Sequence, residues 1–374
     1  MSPNRDTEGL RIGKVLAAKK LFTAGPVSCF PEVLEAMKSQ MYSHRSREYK
    51  TLHEELIKRL QRLLETNKTV LLFPASGTGI MEASVRNCVN RGDSILVTSI
   101  GAFGERYREV VESNGRKAVY LDFKPGEHVD PKVMKETMEK HNVKAVSITY
   151  NETSTGVLNP LPELARIVKK EDKLLFVDAV SAMGGAEIKF DEWGIDIVFS
   201  SSQKAFGVPP GLAMGAFSDR VFELSEKIQE KGWYFDLAMY KKYQEKETGT
   251  PSTPPIPQMM GLNVMLGKME EMGKAKWLEM YMKRSGMVRE GVKRIGLGLL
   301  AKEGYESPTI TAIKTAEGVK GDDVYYKMRD KGFELAKGYG PVKQTTFRIG
   351  NMGYVPFETI QEMLANLEEV VRSL

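Results

Sequence analysis

Residues that bind metals or form disulfides are scarce in this chain. Its 374 residues include two cysteines, Cys29 and Cys88, and four histidines. Neither type recurs at a metal-ligand spacing, and two cysteines do not make a disulfide framework. We therefore predict no metal site and no disulfide-stapled fold, and we expect a reducing, cytoplasmic setting.

Long apolar runs are also missing. No stretch approaches the ~20 apolar residues that a membrane-spanning helix needs, and the first twenty residues carry too many charges for a signal peptide. The net charge of +5 arises from 54 basic and 49 acidic residues, which are interspersed along the chain. We expect a protein that binds neither membranes nor nucleic acid.

Two nucleotide-binding signatures are absent from residues 69 to 89, TVLLFPASGTGIMEASVRNCV, which resemble a strand, a small-residue turn and a helix. There is no Gly-Lys-Ser/Thr of a Walker loop, and no third glycine completes a dinucleotide fingerprint after Gly77-Thr78-Gly79. Ser76 and the residues after it nevertheless lie at a helix start, where backbone N–H groups and the helix dipole favour an anion. The segment predicts either an ordinary helix cap or a site for one phosphate group.

Strand-like runs alternate with helical segments through the first two-thirds of the chain. The runs are SILVTSI (94–100), KAVSITY (144–150), KLLFVDA (173–179) and DIVFSS (196–201). Such alternation predicts an α/β fold with a mostly parallel sheet between helices. Ligands of such sheets bind at the carboxyl ends of the strands.

Length and proline content suggest the domain organisation. A chain of 374 residues can bury a large core and form two domains. The segment GTPSTPPIP (249–257) is too proline-rich for a helix and predicts an exposed, stiff crossing. We expect an N-terminal arm (1–20), a large domain (21–272) and a smaller α+β domain (273–374).

Lys204 and Asp178 are the strongest candidates for chemistry. Lys204 follows a predicted buried strand and precedes a Gly- and Pro-rich turn, and a partly desolvated lysine there suits a Schiff base with a carbonyl compound. Asp178 ends the strand LLFVD, where it either caps the next helix or pairs with a protonated pyridine nitrogen. Pyridoxal phosphate (PLP) requires both a Schiff-base lysine and such an acidic partner.

Several motifs together resemble the class V aminotransferases of the fold-type I PLP enzymes. They are SGTG, the aromatic in IGAFGERY (100–107), NETSTG (151–156), VDAVS, SSQK and FRIG (347–350), in this order. The resemblance runs from about Leu21 to the C-terminus and is strongest to the alanine–glyoxylate, serine–pyruvate and serine–glyoxylate branch. It implies a large domain with a mostly parallel sheet of the seven-stranded type, and a smaller α+β C-terminal domain.

The resemblance also implies an activity. It predicts that PLP carries the amino group of serine or alanine to pyruvate or glyoxylate with ping-pong kinetics. Family members of this kind are homodimers with shared active sites, so we expect the same here. The partners are then small molecules and a second copy of the chain.

Roles for individual residues follow from the same resemblance. Lys204 resembles the lysine that binds PLP and moves the substrate proton, and Asp178 resembles the pyridinium partner. The other matches are Phe103 for stacking on the ring, Thr153 for the 3′-oxygen, Ser76, Gly77, Thr78 and Gln203 for the phosphate, Thr253 for the phosphate of a neighbouring subunit, Gly25 for a close backbone approach to substrate, and Arg348 for the substrate α-carboxylate.

Two positions depart from the family pattern. Thr78 stands where this branch often has a histidine, and Thr250 stands where many members have a tyrosine that reaches the phosphate. By themselves, Phe103 is more typical of a core residue and Arg348 of a surface or ion-paired arginine. The alternation in FRIG does place Arg348 on the opposite strand face from its apolar neighbours.

Three alternative functions remain open at this point. A class V lyase or desulfurase typically stacks a histidine on the ring, and a desulfurase carries a C-terminal cysteine, whereas no cysteine follows Cys88.

A phosphoserine aminotransferase using 2-oxoglutarate is suggested by YSHRSREY (42–49), where His44 and Arg45 resemble residues that reach a substrate phosphate. The same segment also suits a structural turn before a helix from about Tyr49. A non-enzymatic PLP-fold protein is the third alternative, and the complete set of Lys204, Asp178 and Arg348 argues against it.

Overall fold

The computed structural model describes residues 19–246 and 249–374. The predicted N-terminal arm therefore lies outside the described residues, apart from Lys19 and Lys20. The strands are, in chain order, β1 (Lys20–Leu21), β2 (Thr69–Phe73), β3 (Ser94–Ser99), β4 (Lys117–Asp122), β5 (Val143–Thr149), β6 (Asn151–Glu152), β7 (Val157–Leu158), β8 (Leu174–Asp178), β9 (Ile197–Ser201), β10 (Ala213–Phe217), β11 (Gly298–Leu299), β12 (Ile310–Lys314), β13 (Phe333–Glu334), β14 (Ala336–Lys337) and β15 (Thr346–Gly350).

Helices cover the sheets and connect most of the strands. They are α1 (Pro31–Met37), α2 (Arg47–Leu64), α3 (Gly77–Cys88), α4 (Ala102–Ser113), α5 (Pro131–Lys140), α6 (Leu161–Lys170), α7 (Phe190–Trp193), α8 (Asp219–Lys227), α9 (Leu237–Lys246), α10 (Ile256–Met272), α11 (Lys274–Arg294), α12 (Gly321–Asp330) and α13 (Phe357–Arg372), with a 3-10 turn at Gly340–Val342.

The central sheet has seven strands in the order β2-β10-β9-β8-β5-β3-β4. Strand β10 is antiparallel to both of its neighbours, while the remaining strand pairs are parallel. Strands β8, β9 and β10 are buried along their whole length, as expected for a sheet covered on both faces. The predicted α/β fold with a mostly parallel seven-stranded sheet is confirmed.

The direction of the strands brings the candidate residues to one edge of this sheet. Strands β2, β3, β5, β8 and β9 run the same way, so the loops that follow them emerge together. The strand ends and the segments that follow them carry, in chain order, Ser76, Phe103, Thr153, Asp178 and Lys204. A ligand site at this edge agrees with the general rule for open α/β sheets.

A second sheet, β11-β12-β15-β14, supplies Arg348. Arg348 lies in β15, opposite Ala312 of β12 and Ala336 of β14. Its strand neighbours Phe347 and Ile349 are buried in the apolar cluster that α11, α12 and α13 form with this sheet. The strand alternation therefore points Arg348 away from that cluster, as the sequence predicted.

Two element boundaries differ from the sequence expectation. Helix α2 begins at Arg47, two residues before Tyr49, because the Ser46 hydroxyl caps it by accepting the Tyr49 N–H at 3.3 Å. Helix α10 already begins at Ile256, since Pro257 occupies a first-turn position where its missing N–H costs no hydrogen bond. The division between a large domain (21–272) and a small domain (273–374) stays a prediction.

One further property concerns the helices as a set. Across the two described ranges, no helix combines the length and the apolarity that crossing a membrane would require.

Candidate functional site

Lys204 lies three residues after the end of strand β9, with its side chain against the backbone of residues 24 and 25. Its Nζ donates to the Ala24 carbonyl at 2.5 Å. Gly25 has φ +108°, and a Cβ there would lie 2.6 Å from Cδ and 2.8 Å from Nζ of Lys204. Only glycine allows this approach, because other residues would be strained and would collide with the amine.

Burial makes Lys204 a weaker base than an ordinary lysine. Desolvation lowers its pKa to about 8, the nearby Arg348 charge lowers it further, and Asp178 opposes the shift. A sizeable fraction of the amine is then neutral near physiological pH. Such an amine can attack a carbonyl carbon and can accept a proton.

Asp178 is the last residue of strand β8 and is buried. Its Oδ1 accepts the Val180 N–H at 2.9 Å within a turn. The helix cap considered from the sequence is not formed, because the next helix begins only at Phe190. Within the described residues, Oδ2 has no hydrogen bond. Burial raises the pKa of Asp178 to about 6, with Glu152 adding to the rise and Val180 and Lys204 opposing it. A cationic partner at Oδ2 would remove this penalty.

The start of helix α3 offers unpaired donors. Ser76 is the N-cap, yet its side chain makes no capping hydrogen bond, so the first N–H groups, including those of Gly77 and Thr78, have no side-chain acceptor. A Cβ on Gly77 would lie 2.4 Å from Cγ2 of Val180, which brings this loop against the turn after Asp178.

Two buried polar atoms next to this helix start also lack partners. They are Oγ of Ser201 and Oε1 of Gln203, both at the end of strand β9. Ser201 lies 3.7 Å from the position of a Cβ on Gly77. Buried polar atoms are normally paired, so the orphaned Ser201 hydroxyl and the uncapped helix start, both of which can donate, indicate an anion-binding cradle. The Gln203 side chain can add to this cradle only through its amide Nε2, because Oε1 is an acceptor.

Phe103 lies in the first turn of helix α4, and its backbone N–H is bound by a residue that the sequence analysis missed. Glu152 is fully buried, and its Oε2 accepts the N–H groups of Phe103 at 3.0 Å and Gly104 at 3.2 Å. Its Oε1 accepts the N–H and hydroxyl of Ser154 at 2.9 and 2.6 Å. Burial raises the pKa of Glu152, and these four donors oppose the rise. Glu152 thus fixes the α4 start, and with it Phe103, to the Thr153 loop.

Arg348 is buried and reaches the same edge from the second sheet. Its Nε donates to the Lys337 carbonyl at 2.9 Å, and its Nη1 donates to the Thr153 carbonyl at 3.1 Å. Burial lowers its pKa to about 10, and Glu152 opposes the shift. The Thr153 hydroxyl shares a hydrogen bond of 2.8 Å with the Ser181 hydroxyl.

Tyr339 and Arg106 complete the surroundings of Phe103. The Tyr339 ring stacks on the Phe103 ring with 6.1 Å between centroids and 23° between planes. The Arg106 guanidinium carbon lies 4.8 Å from the centroid of the Phe103 ring. Glu152, Ser201 and Arg106 lie within the motifs NETSTG, SSQK and IGAFGERY, but nothing in these motifs indicates the contacts they make. Tyr339 lies outside every motif.

The remaining predicted residues lie elsewhere in this chain. The His44 ring meets the Tyr49 ring edge-on at 6.5 Å, and Arg45 is exposed in the turn before α2. Thr250 is buried and donates to the Ser252 carbonyl at 2.8 Å, while Thr253 is exposed. Within the described residues, none of these four side chains is hydrogen-bonded to Lys204, Asp178 or Arg348.

The gathered residues fit the groups of PLP. The cradle at the start of α3 can take a phosphate, and the free Oδ2 of Asp178 can take a protonated ring nitrogen. Lys204 presents an amine with a lowered pKa to a carbonyl group. The uncapped start of α3 and the orphaned Ser201 hydroxyl are the structural observations on which this fit depends.

Comparisons with known proteins agree with this geometry. The family model described as Aminotransferase class-V matches residues 20–358. An uncharacterized aminotransferase of Methanocaldococcus jannaschii is 35% identical over 96% of this chain and 95% of its own length. The serine–glyoxylate aminotransferase of Methylorubrum extorquens is 32% identical over 89% of this chain and 86% of its own length. The crystal structure of alanine–glyoxylate aminotransferase from Nostoc sp. superposes with a TM-score of 0.93, covering 100% of both chains at 27% identity.

Proposed function

This chain belongs to the class V aminotransferases and uses PLP, and from that premise we propose that it transfers the amino group of serine or alanine to glyoxylate or pyruvate. The observation that carries the proposal is the meeting of Lys204, Asp178 and Arg348 at one edge of the central sheet. The names of the serine–glyoxylate and alanine–glyoxylate relatives support the choice of substrates.

In the proposed site, the cofactor phosphate binds at the start of α3. Its holders are Ser76, Gly77, Thr78, Ser201 and Gln203. Asp178 keeps the ring nitrogen protonated, Thr153 donates to the 3′-oxygen, and Phe103 stacks on the ring. When bound, PLP accepts an amino group and withdraws electrons from the donor Cα.

Lys204 has two tasks in this proposal. Between turnovers its neutral Nζ would hold the cofactor at the carbonyl carbon, with release of water, and once displaced by the donor amine it would remove the proton from the donor Cα. The Ala24 carbonyl and Gly25 keep the amine at its place beside the sheet edge. Because Arg348 helps lower the pKa of Lys204, neutralising that arginine with a substrate carboxylate makes the amine a stronger base.

Arg348 is the proposed clamp for the α-carboxylate. Two of its N–H groups are engaged by the carbonyls of Lys337 and Thr153, which fixes the plane of the guanidinium. The remaining donors can form charge-assisted hydrogen bonds with a carboxylate. The keto acid leaves before the second substrate binds in the same place, so ping-pong kinetics follow.

We also propose that the active unit is a homodimer. Thr253 is exposed on the segment before α10, where it can reach a neighbouring subunit. Trp233 is 61% exposed, and the adjacent Tyr234 hydroxyl donates to the Pro74 carbonyl at 3.0 Å, just before the phosphate cradle. An exposed aromatic surface beside the cradle suits contact with a second copy.

Phosphoserine transamination remains the second candidate. The exposure of Arg45 favours it, since a free guanidinium can take a phosphate. Ser46 of the same segment, however, caps helix α2, which accounts for part of the motif structurally.

A donor–acceptor matrix tests the proposal. Purified holoenzyme is assayed with serine, alanine, and O-phosphoserine against glyoxylate, pyruvate and 2-oxoglutarate. We expect the highest kcat/KM for serine or alanine with glyoxylate or pyruvate. A kcat/KM for phosphoserine with 2-oxoglutarate far above these values would contradict the proposal, and Arg45→Ala would then reduce phosphoserine turnover selectively.

A further inference from the structure

Helix α11 directs three buried side chains, each with an N–H or O–H donor, at backbone carbonyls of three different loops. The pairs are Trp277 Nε1 with the Gly184 carbonyl (2.8 Å), the Tyr281 hydroxyl with the Ala205 carbonyl (3.0 Å) and Arg284 Nη1 with the Gly353 carbonyl (3.2 Å). Spacings of four and three residues place these side chains on one face of the helix. One face of α11 therefore binds three loops that are far apart in the chain.

Each of these loops follows a strand that carries, or a residue that belongs to, the proposed site. Gly184 lies six residues after Asp178, Ala205 directly follows Lys204, and Gly353 lies five residues after Arg348. The three residues on which the proposed reaction depends are thus joined, through short stretches of backbone, to carbonyls that α11 binds.

The three loops also pack against one another. A Cβ on Gly185 would lie 3.5 Å from Cβ of Ala205, and a Cβ on Gly207 would lie 3.2 Å from Cα of Gly353. These contacts join the loop after β8 to the loop after β9, and the loop after β9 to the loop after β15. A shift of one loop on the surface of α11 is therefore felt by the others.

Packing alone does not require polar side chains on this face of α11. Farther along the same face, Val288 and Val292 are buried in the apolar cluster of the second sheet. Arg284 is buried as well, yet within the described residues no carboxylate pairs with it. A buried charge without an acidic partner costs stability, and an apolar side chain would fill the same space without that cost. The donors on this face therefore indicate a role other than filling the core.

Tyr281 makes the contact nearest to the reactive amine. Within the described residues, its hydroxyl is the only hydrogen-bond donor to the Ala205 carbonyl. Burial raises the pKa of Tyr281 to about 12, so the hydroxyl keeps its proton. Lys204 is thus held at its Nζ by the Ala24 carbonyl and at the next residue by Tyr281.

We propose that this face of α11 positions the residues of the site relative to one another. Its three donors act through the loop carbonyls, Tyr281 on Lys204, Trp277 on Asp178 and Arg284 on Arg348. The inference rests on the proposed transamination and adds three positioning residues to it, none of which touches a reactant.

Tyr281→Phe is the first test, because it removes only the hydroxyl and keeps the buried ring. Steady-state kinetics of the holoenzyme are measured with alanine and glyoxylate. We expect kcat to fall by about tenfold, since Lys204 is displaced from its working position. The KM for alanine should change by less than about twofold, because Arg348 keeps its place.

The pKa of the Lys204 amine gives a readout that does not depend on turnover. Cofactor-free protein is acetylated with acetic anhydride over a range of pH, and mass spectrometry of the Lys204 peptide gives the pKa. The wild-type value should lie near 8. In Tyr281→Phe it should rise by at least about half a unit toward the ordinary 10.5, because a displaced amine gains contact with water.

Tyr150→Phe is the matched control. Tyr150 is also buried, and its hydroxyl also donates to a backbone carbonyl, that of Glu187 at 3.1 Å. Its loss should lower the free energy of unfolding in urea about as much as Tyr281→Phe does. The kcat and the pKa of Lys204 should stay near the wild-type values. An equal loss of kcat in the two variants would overturn the proposal, since any weakened core would then have the same effect.

Arg284→Met should give a different kinetic pattern. Methionine keeps much of the volume and removes a buried charge that has no acidic partner, so the fold should be retained. The KM for alanine should rise by about fivefold or more with a smaller change in kcat, because the displaced residue is the carboxylate clamp Arg348. A fall in kcat at unchanged KM, as in Tyr281→Phe, would contradict the assignment of the donors to separate loops.

The outcomes separate this inference from the proposed function. If the wild type transaminates no amino acid, the proposed function is wrong, while acetylation of Lys204 in the cofactor-free protein still tests the inference. If the wild type transaminates alanine, and Tyr281→Phe matches it both in kcat and in the pKa of Lys204, the inference alone is wrong.

Discussion

The amine of Lys204 and the α-carbon of Gly25 lie so close that no side chain fits between them. A Cβ on Gly25 would be 2.8 Å from Nζ of Lys204, and the same amine donates to the preceding Ala24 carbonyl. Backbone that is more than 170 residues away in sequence thus sets the position of the reactive amine. The lowered pKa of Lys204 is a consequence of this enclosure.

Gly25→Ala should therefore displace Lys204. We expect kcat to fall by at least about tenfold, because a misplaced catalytic group is costly. Gly296→Ala is the matched control, since Gly296 also has a positive φ (+88°) but meets nothing within 4 Å. Both variants should have a lower free energy of unfolding in urea, because alanine is strained at a positive φ. Only Gly25→Ala should also lose activity. Equal kinetics in the two variants would show that the close contact is unimportant.

Asp178→Asn should raise the stability of the cofactor-free protein and lower the activity of the holoenzyme. The pKa of Asp178 is raised from an ordinary 3.8 to about 6 in the folded protein. Between these two pH values, Asp178 is therefore protonated in the folded protein but ionised in the unfolded chain. The free energy of unfolding of the cofactor-free protein then falls as pH rises through this window. Asparagine removes the dependence, so the variant should be more stable above pH 6, by up to about 3 kcal/mol.

The same variant should be a poor enzyme, because asparagine cannot hold the ring nitrogen protonated. Single-turnover rates of Cα deprotonation should fall by about a hundredfold or more. Asp330→Asn, at an exposed position, serves as control for both measurements. Near-normal single-turnover rates in Asp178→Asn would mean that Asp178 only accepts the Val180 N–H.

Arg348→Ala tests the carboxylate clamp. Truncating one partner of a desolvated charge pair is costly, so kcat/KM for serine and alanine should fall by roughly two to three orders of magnitude. The absorbance of bound PLP should stay near normal, because Arg348 faces the substrate in this proposal. Arg294→Ala, at the exposed end of α11, should behave like the wild type. Loss of cofactor absorbance in Arg348→Ala would assign the arginine to cofactor binding instead.

Thr253 tests the proposed dimer. Lys204→Ala and Thr253→Ala are each expected to be inactive or impaired alone, and mixing them should restore activity at one site of each mixed dimer. Sedimentation of the wild type should show a dimer at assay concentrations. A fully active monomer would contradict both the assembly and the role of Thr253.

Sequence patterns predicted the sheet well because its strands are buried on both faces. Apolar runs such as those of β5, β8 and β9 carry a strong signal, and their carboxyl ends locate Asp178 and Lys204 without any tertiary information. The helix starts were less certain, as α2 and α10 show, because their limits depend on single capping and proline residues.

The residues that the sequence did not reveal act across long distances in the chain. Glu152 binds the start of α4 some fifty positions upstream, and a glutamate beside a threonine gives no sign of that contact. Tyr339 lies between β14 and the 3-10 turn, and only folding brings it onto Phe103. Contacts between elements that are distant in sequence depend on the packing of the two sheets, which local patterns do not encode.

The most direct test of the account is to identify the lysine that carries PLP. The wild-type holoenzyme is reduced with borohydride, which turns an imine link into a stable amine, and the digested protein is analysed by mass spectrometry. The account predicts a pyridoxyl-phosphate adduct on the peptide that contains Lys204, and no adduct in Lys204→Ala. An adduct on another lysine of the wild type, with turnover intact in Lys204→Ala, would contradict the account.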